Sequence, residues 1–281
     1  MSLLSAGRAE ARQLLAGALP QEAWEFYFRL TDEWRCEQTQ GRLENLDAKS
    51  VFGVAVRCLV DGRMGFAYRR DARPGAVTEV LAEARALVQQ VEADPAKCFA
   101  AADAKLTAPA FNPSRSFDRT RVKDLLDRAE TSARQADGRV RRTQQAGYYQ
   151  RRVEHVLVNS LGTDLTWCQD EVGLNVAALA EARGDSQLGE AYAVAATLDG
   201  LSPETVGSEA GLKAARLLGA EVLPTGRRDV VFPPTVVAGI LEAAFPAWSA
   251  QAWQRGSSFL APHAGECLAS PAVSLVDDAL L

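Results

Sequence analysis

The chain is poor in the residues on which many catalytic centres depend. Of 281 residues only two are histidine, His155 and His263, and they stand far apart. A zinc site built from several histidines is nearly excluded, as is any scheme that needs several of them for acid–base work. Cysteine is sparse too. Cys36, Cys58, Cys98, Cys168 and Cys267 are odd in number, scattered and without a CxxC pair. That usage reads as reduced thiols in a cytoplasm, not as a disulfide framework. No run approaches the roughly 18 consecutive apolar residues of a membrane helix. Arg8, Glu10 and Arg12 interrupt the apolar pattern of the first residues, where a signal peptide would be unbroken. There is no phosphate loop, no GxGxxG between a strand and a helix, no HExxH and no GxSxG.

What is present is the material of a globular protein. Hydrophobic residues make up 47% and charged residues 24%, enough apolar surface to offset the entropy of ordering. The net charge of -5 argues against a general nucleic-acid binder. Residues 5–19 show helical spacing closed by Pro20, and residues 23–29 and 31–40 alternate as two strands. Val51 to Val60 is the strongest strand signal. Asp61-Gly62 and the run RMGFAYR follow it, the pattern of a tight hairpin. Residues 23–69 thus predict an antiparallel meander, with a helix over 76–93 covering one face. Residues 101–115 read as a linker.

A second region opens with a helix over 119–136. Strands at 140–150, 152–159 and 164–169 come next, then an antiparallel pair at 172–183 and 186–198. Ser160 to Thr163 reads as a turn. A helix follows from Pro203, with Ser202 as its N-cap and Gly219 at its end. In a third region, Asp229 to Phe232 predicts a short buried strand, 235–245 an apolar helix stopped by Pro246, and 257–260 and 273–276 short strands. The fold class is α+β: antiparallel sheets covered by helices, arranged as two N-terminal α+β regions and the start of a β-rich C-terminal domain. The expected boundaries are 1–105, 106–225 and 226–281.

Few side chains suggest chemistry. His155 lies mid-strand and reads as a satisfied or half-exposed strand histidine rather than a ligand. His263, Glu266 and Cys267 share one short loop, a geometry that disfavours three ligands to one metal. Arg57 interrupts an apolar strand. It lies either on the outer face of an alternating strand, the favoured reading, or in an internal pair with an acid such as Glu37. The arginines of 139–152, interleaved with Tyr148 and Tyr149, fit the wet face of an amphipathic sheet better than a nucleic-acid surface.

Several segments together resemble the TldD/PmbA family, once called modulators of DNA gyrase. They are VFGVAVRCLVDGRMGFAYRRD (51–71), VLVNSLGT (156–163), the helix end 214–220, DVVFPP, and SSFL (257–260) with 270–278. The resemblance runs along nearly the whole chain. One branch of that family carries His-Glu-x-x-x-His on a helix and binds the zinc of a metallopeptidase. The matching positions here are Glu242, Ala243 and Ala247, which lack both histidines and the catalytic glutamate. SSFL resembles the TldE (PmbA) branch, which lacks the metal.

The resemblance therefore implies no metal and no cofactor in this chain, and no catalytic residue. It implies a non-catalytic subunit whose TldD-like partner supplies zinc, with an unfolded peptide as substrate and no nucleic acid or membrane as partner. A homodimer is the expectation for the chain in isolation. Family members are longer, so the third domain is expected to be cut short. Two other readings stand beside this one. The first is a non-enzymatic peptide- or protein-binding modulator, gyrase- or toxin–antitoxin-related. The second is a hydrolase using Cys168 or Cys267 with a histidine.

Overall fold

A computed structural model describes residues 2–70, 73, 75–102 and 117–276, and divides the chain into two compact units, 1–220 and 221–281. The expected linker lies largely outside the described residues. The first unit runs α1 (Leu3–Leu15), β1 (Glu22–Thr39), β2 (Arg42–Val60), β3 (Arg63–Arg69), α2 (Ala76–Leu87), α3 (Arg119–Gln135), β4 (Val140–Asn159), β5 (Asp164–Ala182), β6 (Asp185–Ala195) and α4 (Pro203–Leu217). All six strands form one antiparallel sheet in the order β3-β2-β1-β4-β5-β6. The α+β class is borne out. The two α+β regions share this sheet, because β1 pairs with β4 from Glu25↔Asn159 to Gln38↔Ala146.

The strands are longer than the sequence pattern suggests. Residues 23–29 and 31–40 are one 18-residue strand, because nothing between Leu30 and Thr31 turns the chain. The polar stretch 42–50 is extended although its side chains are mostly exposed, since its backbone pairs with β1 from Cys36↔Leu46 to Asp32↔Ser50. Likewise 140–150 joins 152–159 in β4, and 164–169 joins 172–182 in β5. The hairpin turns are where glycine placed them. Asp61 and Gly62 both take positive φ (49° and 75°), as a type I′ turn requires.

Alternation sends every second side chain to one face. On β1 these are Trp24, Phe26 and Phe28 at one end and Cys36 at the other. The first three join Val54, Val56, Val80 and Leu81 in a core under α1 and α2. Cys36 joins Leu125, Leu126, Tyr148, Leu174 and Val206 in a second core under α3 and α4. All four helices thus pack on one face, two at each end of the long strands. Between the cores that face is polar. Arg152, only 8% exposed, meets Glu154 at 3.2 Å and Asp170 at 3.4 Å. Away from that middle, at the start of β5 beside Val158, Asp164 is gripped by Arg8 and Arg12 of α1, each through Nε at 2.8 Å.

Local chemistry fixes the helix starts. Ser2 caps α1 and Asp118 caps α3, each side-chain oxygen accepting first-turn N–H groups. Ser202 precedes α4 as expected, but its hydroxyl bonds Thr205 Oγ1 at 2.8 Å instead of a backbone N–H. One buried acid ties the β1–β2 turn to α3. Glu130 accepts the N–H groups of Gln40 (2.8 Å) and Gly41 (2.6 Å) and the Thr143 hydroxyl (2.8 Å).

The second unit contains α5 (Pro234–Ala244) and the short α6 (Ala250–Gln254), separated by a 3₁₀ turn at Phe245–Trp248 where Pro246 interrupts. The strand expected at Asp229 to Phe232 is not formed, and Val231 is 94% exposed. Residues 257–260 and 273–276 are turns and coil, not strands. A short apolar run becomes a strand only where a partner supplies its ladder, and no strand forms among the described residues of this unit. Among the described residues no helix is long and apolar enough to cross a membrane.

The packing of α4 on α3 generates a stability test. A methyl group added at Gly207 would sit 2.1 Å from the Ala129 carbonyl oxygen of α3. Gly207→Ala is expected to destabilise the fold by about 2 kcal/mol, because backbone must move to admit it. Urea unfolding of the two proteins measures this directly, and an unchanged midpoint would contradict the close crossing.

Candidate functional site

The face opposite the helices is where side chains from five strands meet without a helix of residues 2–220 over them. Its residues alternate with the core: Glu25, Tyr27, Arg29, Thr31 and Glu33 on β1, then His155 on β4 and Trp167 on β5. One end of this face is closed by the chain after α2. There Phe99 packs over the Arg57 guanidinium at 5.3 Å, and Asn159 and Thr163 both donate to the Ala100 carbonyl. Arg57 is on this outer face, as the alternation implied. Its acid is Glu25, not Glu37. Glu25 lies directly across the β1–β2 ladder, whereas Glu37 sits at the far end opposite Asn45.

The centre of the face is aromatic. The His155 ring stacks on Trp167 with centroids 4.8 Å apart and planes at 10°, and Tyr27 packs against both, its centroid 5.8 Å from His155 and 6.3 Å from Trp167. Tyr27 Oη lies 2.6 Å from His155 Nδ1. Burial pushes the Tyr27 hydroxyl up, so it keeps its proton and donates to Nδ1. The neutral imidazole then carries its own proton on Nε2. Among the described residues that buried atom has no hydrogen-bond partner and the residue is only 6% exposed, so His155 is neither fully satisfied nor half-exposed, the two readings the sequence offered. Burial, helped by the positive charge of Arg29, lowers the His155 pKa below 6.5, and the neighbouring Gln169 side chain opposes the shift.

Beside this shelf lies a shallow cleft of about 220 Å³ lined by Arg29, Thr31, Glu33, Lys49, Val51, Gly53 and Arg70. A second concavity, about 380 Å³, opens between Asp118 and Arg121 near the start of α3 and Asp170, Thr197 and Asp199. Its charges of both signs pair with one another, as Arg121 does with Asp199.

The remaining sequence candidates are dispersed. Glu242 and Ala243 lie on α5 and Ala247 in the turn after it, where the Ala247 carbonyl accepts from Trp253 Nε1 and Ser258 Oγ. One carboxylate and two methyl groups do not make a zinc site, and among the described residues no three His, Cys, Asp or Glu side chains converge to hold a metal. His263 Nδ1 meets Glu266 at 3.0 Å, while the Cys267 thiol donates to the Ala269 carbonyl. Cys168 pairs in register with Glu154 and so faces the helices, on the other side of the sheet from His155. Burial and then Asp170 push its thiol up, away from the nucleophilic thiolate. Of the arginines in 139–152, Arg139, Arg151 and Arg152 are ion-paired within the sheet and its turns.

Comparison with known proteins agrees with this architecture. Three family profiles match in order: the PmbA/TldA metallopeptidase domain 1 over residues 24–90, its central domain over 112–218 and its C-terminal domain over 225–281. The chain belongs to the PmbA/TldD metallopeptidase family. It is 26% identical to Metalloprotease PmbA of Escherichia coli O157:H7 across 80% of this chain and 51% of that protein. Identity to a metalloprotease of Methanothermobacter thermautotrophicus is also 26%, across 85% of this chain and 53% of that one. The chain thus spans about half the length of these relatives. Among solved structures, a putative modulator of DNA gyrase from Thermotoga maritima superposes with a TM-score of 0.74 at 22% identity, covering 94% of this chain and 59% of that one. TldE from Thermococcus kodakarensis gives 0.68 at 15%, covering 91% and 58%. At these identities the likeness is one of fold.

The depressed His155 pKa predicts a titration. The unfolded chain binds a proton near pH 6.5, whereas the folded chain resists it. Stability present above pH 6.5 is therefore lost as pH falls through the folded-state value. NMR titration should show one of the two imidazoles still neutral at pH 6.5, absent from His155→Gln. A His155 midpoint at or above 6.5 would overturn the assignment.

Proposed function

We propose that this chain is the non-catalytic, TldE/PmbA-like subunit of a zinc metallopeptidase that degrades or processes unfolded peptides. A TldD-like partner supplies the zinc. The complex works in the cytoplasm, and this subunit shapes the chamber and holds the extended peptide. The observation that carries the reading is the donor set at 242–247. Family membership points to a metallopeptidase assembly, yet Glu242, Ala243 and Ala247 offer one carboxylate and no imidazole, too few donors for zinc. The broad face carrying Tyr27, His155 and Trp167 suits the second half of the role, since it presents aromatic and charged side chains in strand register. As a metallopeptidase-family chain it takes part in proteolysis without performing the bond cleavage.

Co-expression with a TldD-like chain tests this. A stable complex with peptidase activity is expected, with about one zinc per heterodimer. The isolated chain should hold no stoichiometric zinc and show no activity. One zinc bound tightly to the isolated chain would overturn the proposal. Failure to form a complex, with the partner's activity unaffected, would favour the non-enzymatic modulator instead.

A further inference from the structure

We infer that the cleft beside the aromatic shelf is a subsite for acidic side chains of an extended peptide; this rests on the peptide-holding role just proposed. Arg29, Lys49 and Arg70 are exposed, line one cleft from neighbouring strands and the end of β3, and have no ion-pair partner among the described residues. That is unusual here, where most arginines are paired and the chain carries a net charge of -5. The one acid in the lining, Glu33, is engaged by Arg35 at 2.6 Å. Even with Glu33 across the ladder from Lys49, three cations around one concavity leave a local excess of positive charge, opposite in sign to the protein as a whole, which concentrates carboxylates.

The floor of the cleft is Gly53, opposite Arg29 in the β1–β2 ladder. Packing does not demand glycine at this position. A methyl group there would meet only the Arg69 carbonyl oxygen, at an ordinary 3.6 Å. The missing side chain leaves room for something that comes from outside. Arg29 is also opposite His155 in the β1–β4 ladder, so the cleft abuts the Tyr27–His155–Trp167 shelf and its unpartnered Nε2–H. A peptide lying across this face would set carboxylates against Arg29, Lys49 and Arg70 and apolar side chains on the aromatic rings. The alternation of a strand supplies that spacing.

The test uses the full chain and a fluorescent ten-residue peptide, blocked at both ends, with Glu at alternate positions. The isosteric Gln peptide is its control, and anisotropy gives the affinities. The Glu peptide is expected to bind about tenfold tighter than the Gln peptide at 0.15 M salt, with the preference largely gone at 1 M. Arg29→Gln, Lys49→Gln and Arg70→Gln should each reduce the preference, and the triple variant should abolish it. Gly53→Val should weaken the Glu peptide by filling the cleft, with an unchanged circular dichroism spectrum.

Equal binding of both peptides to the wild-type chain would sink the acidic subsite and leave the peptide-holding role standing. Binding of neither would sink both. A preference that survives the triple variant places acid recognition elsewhere and overturns the assignment. So does a preference that follows an unblocked C-terminus rather than the Glu side chains.

Discussion

The pairing of β1 with β4 is the interaction on which the rest of the molecule depends. It makes one sheet of two regions far apart in sequence, and it lets β1 serve two cores at once. Phe26 and Phe28 fill the space beneath α1 and α2, while Cys36 on the same strand lies beneath α3 and α4. Neither helix pair has a complete floor without it. The helix face cannot be apolar along its whole length, because the two helix pairs do not meet over its middle. Arg152 with Glu154 and Asp170 occupies that seam, and its value lies in leaving no buried charge unpaired rather than in net stabilisation.

Placing every helix of the first unit on one side leaves the other side of the sheet free of its helices. A sheet of strands up to 20 residues long presents a wide surface of alternating side chains, suited to something extended rather than to a small molecule in a deep pocket. The residues that stand out there are those left without partners among the described residues: three exposed cations with no ion pair and one buried imidazole nitrogen, His155 Nε2, with no hydrogen bond. In the second unit, the Ala247 carbonyl does local structural work, accepting from Trp253 and Ser258.

Much of the local structure was legible in the sequence. The alternation of 51–60 with Asp61-Gly62, the helix over 119–136 and the turn at 160–163 all depend on neighbours along the chain, and each is where its residues placed it. What was not legible depends on partners far away. The stretch 42–50 looks too polar for a strand, yet it is one because β1 lies alongside. DVVF looks like a strand, yet it is not one, since no ladder meets it. Arg57 could be assigned to the outer face from its period, but not to Glu25 over Glu37, because register decides that. The cleft and the aromatic shelf draw on residues spread from Tyr27 to Trp167, and only the sheet order brings them together.

The β1–β4 ladder also sets the order of events when the chain is made. Its partners lie more than 100 positions apart, so β1 is synthesised, and can pair with β2, long before β4 exists. Until then the inner edge of the sheet is open, with the backbone of Glu25 to Gln38, including Phe26 and Phe28, unpaired on that side. A nascent chain in that state is a template for any extended polypeptide nearby, including another copy of itself. The strand that ends as the molecule's central seam thus begins as its most adhesive surface, and completing residues 140–159 is the step that closes it.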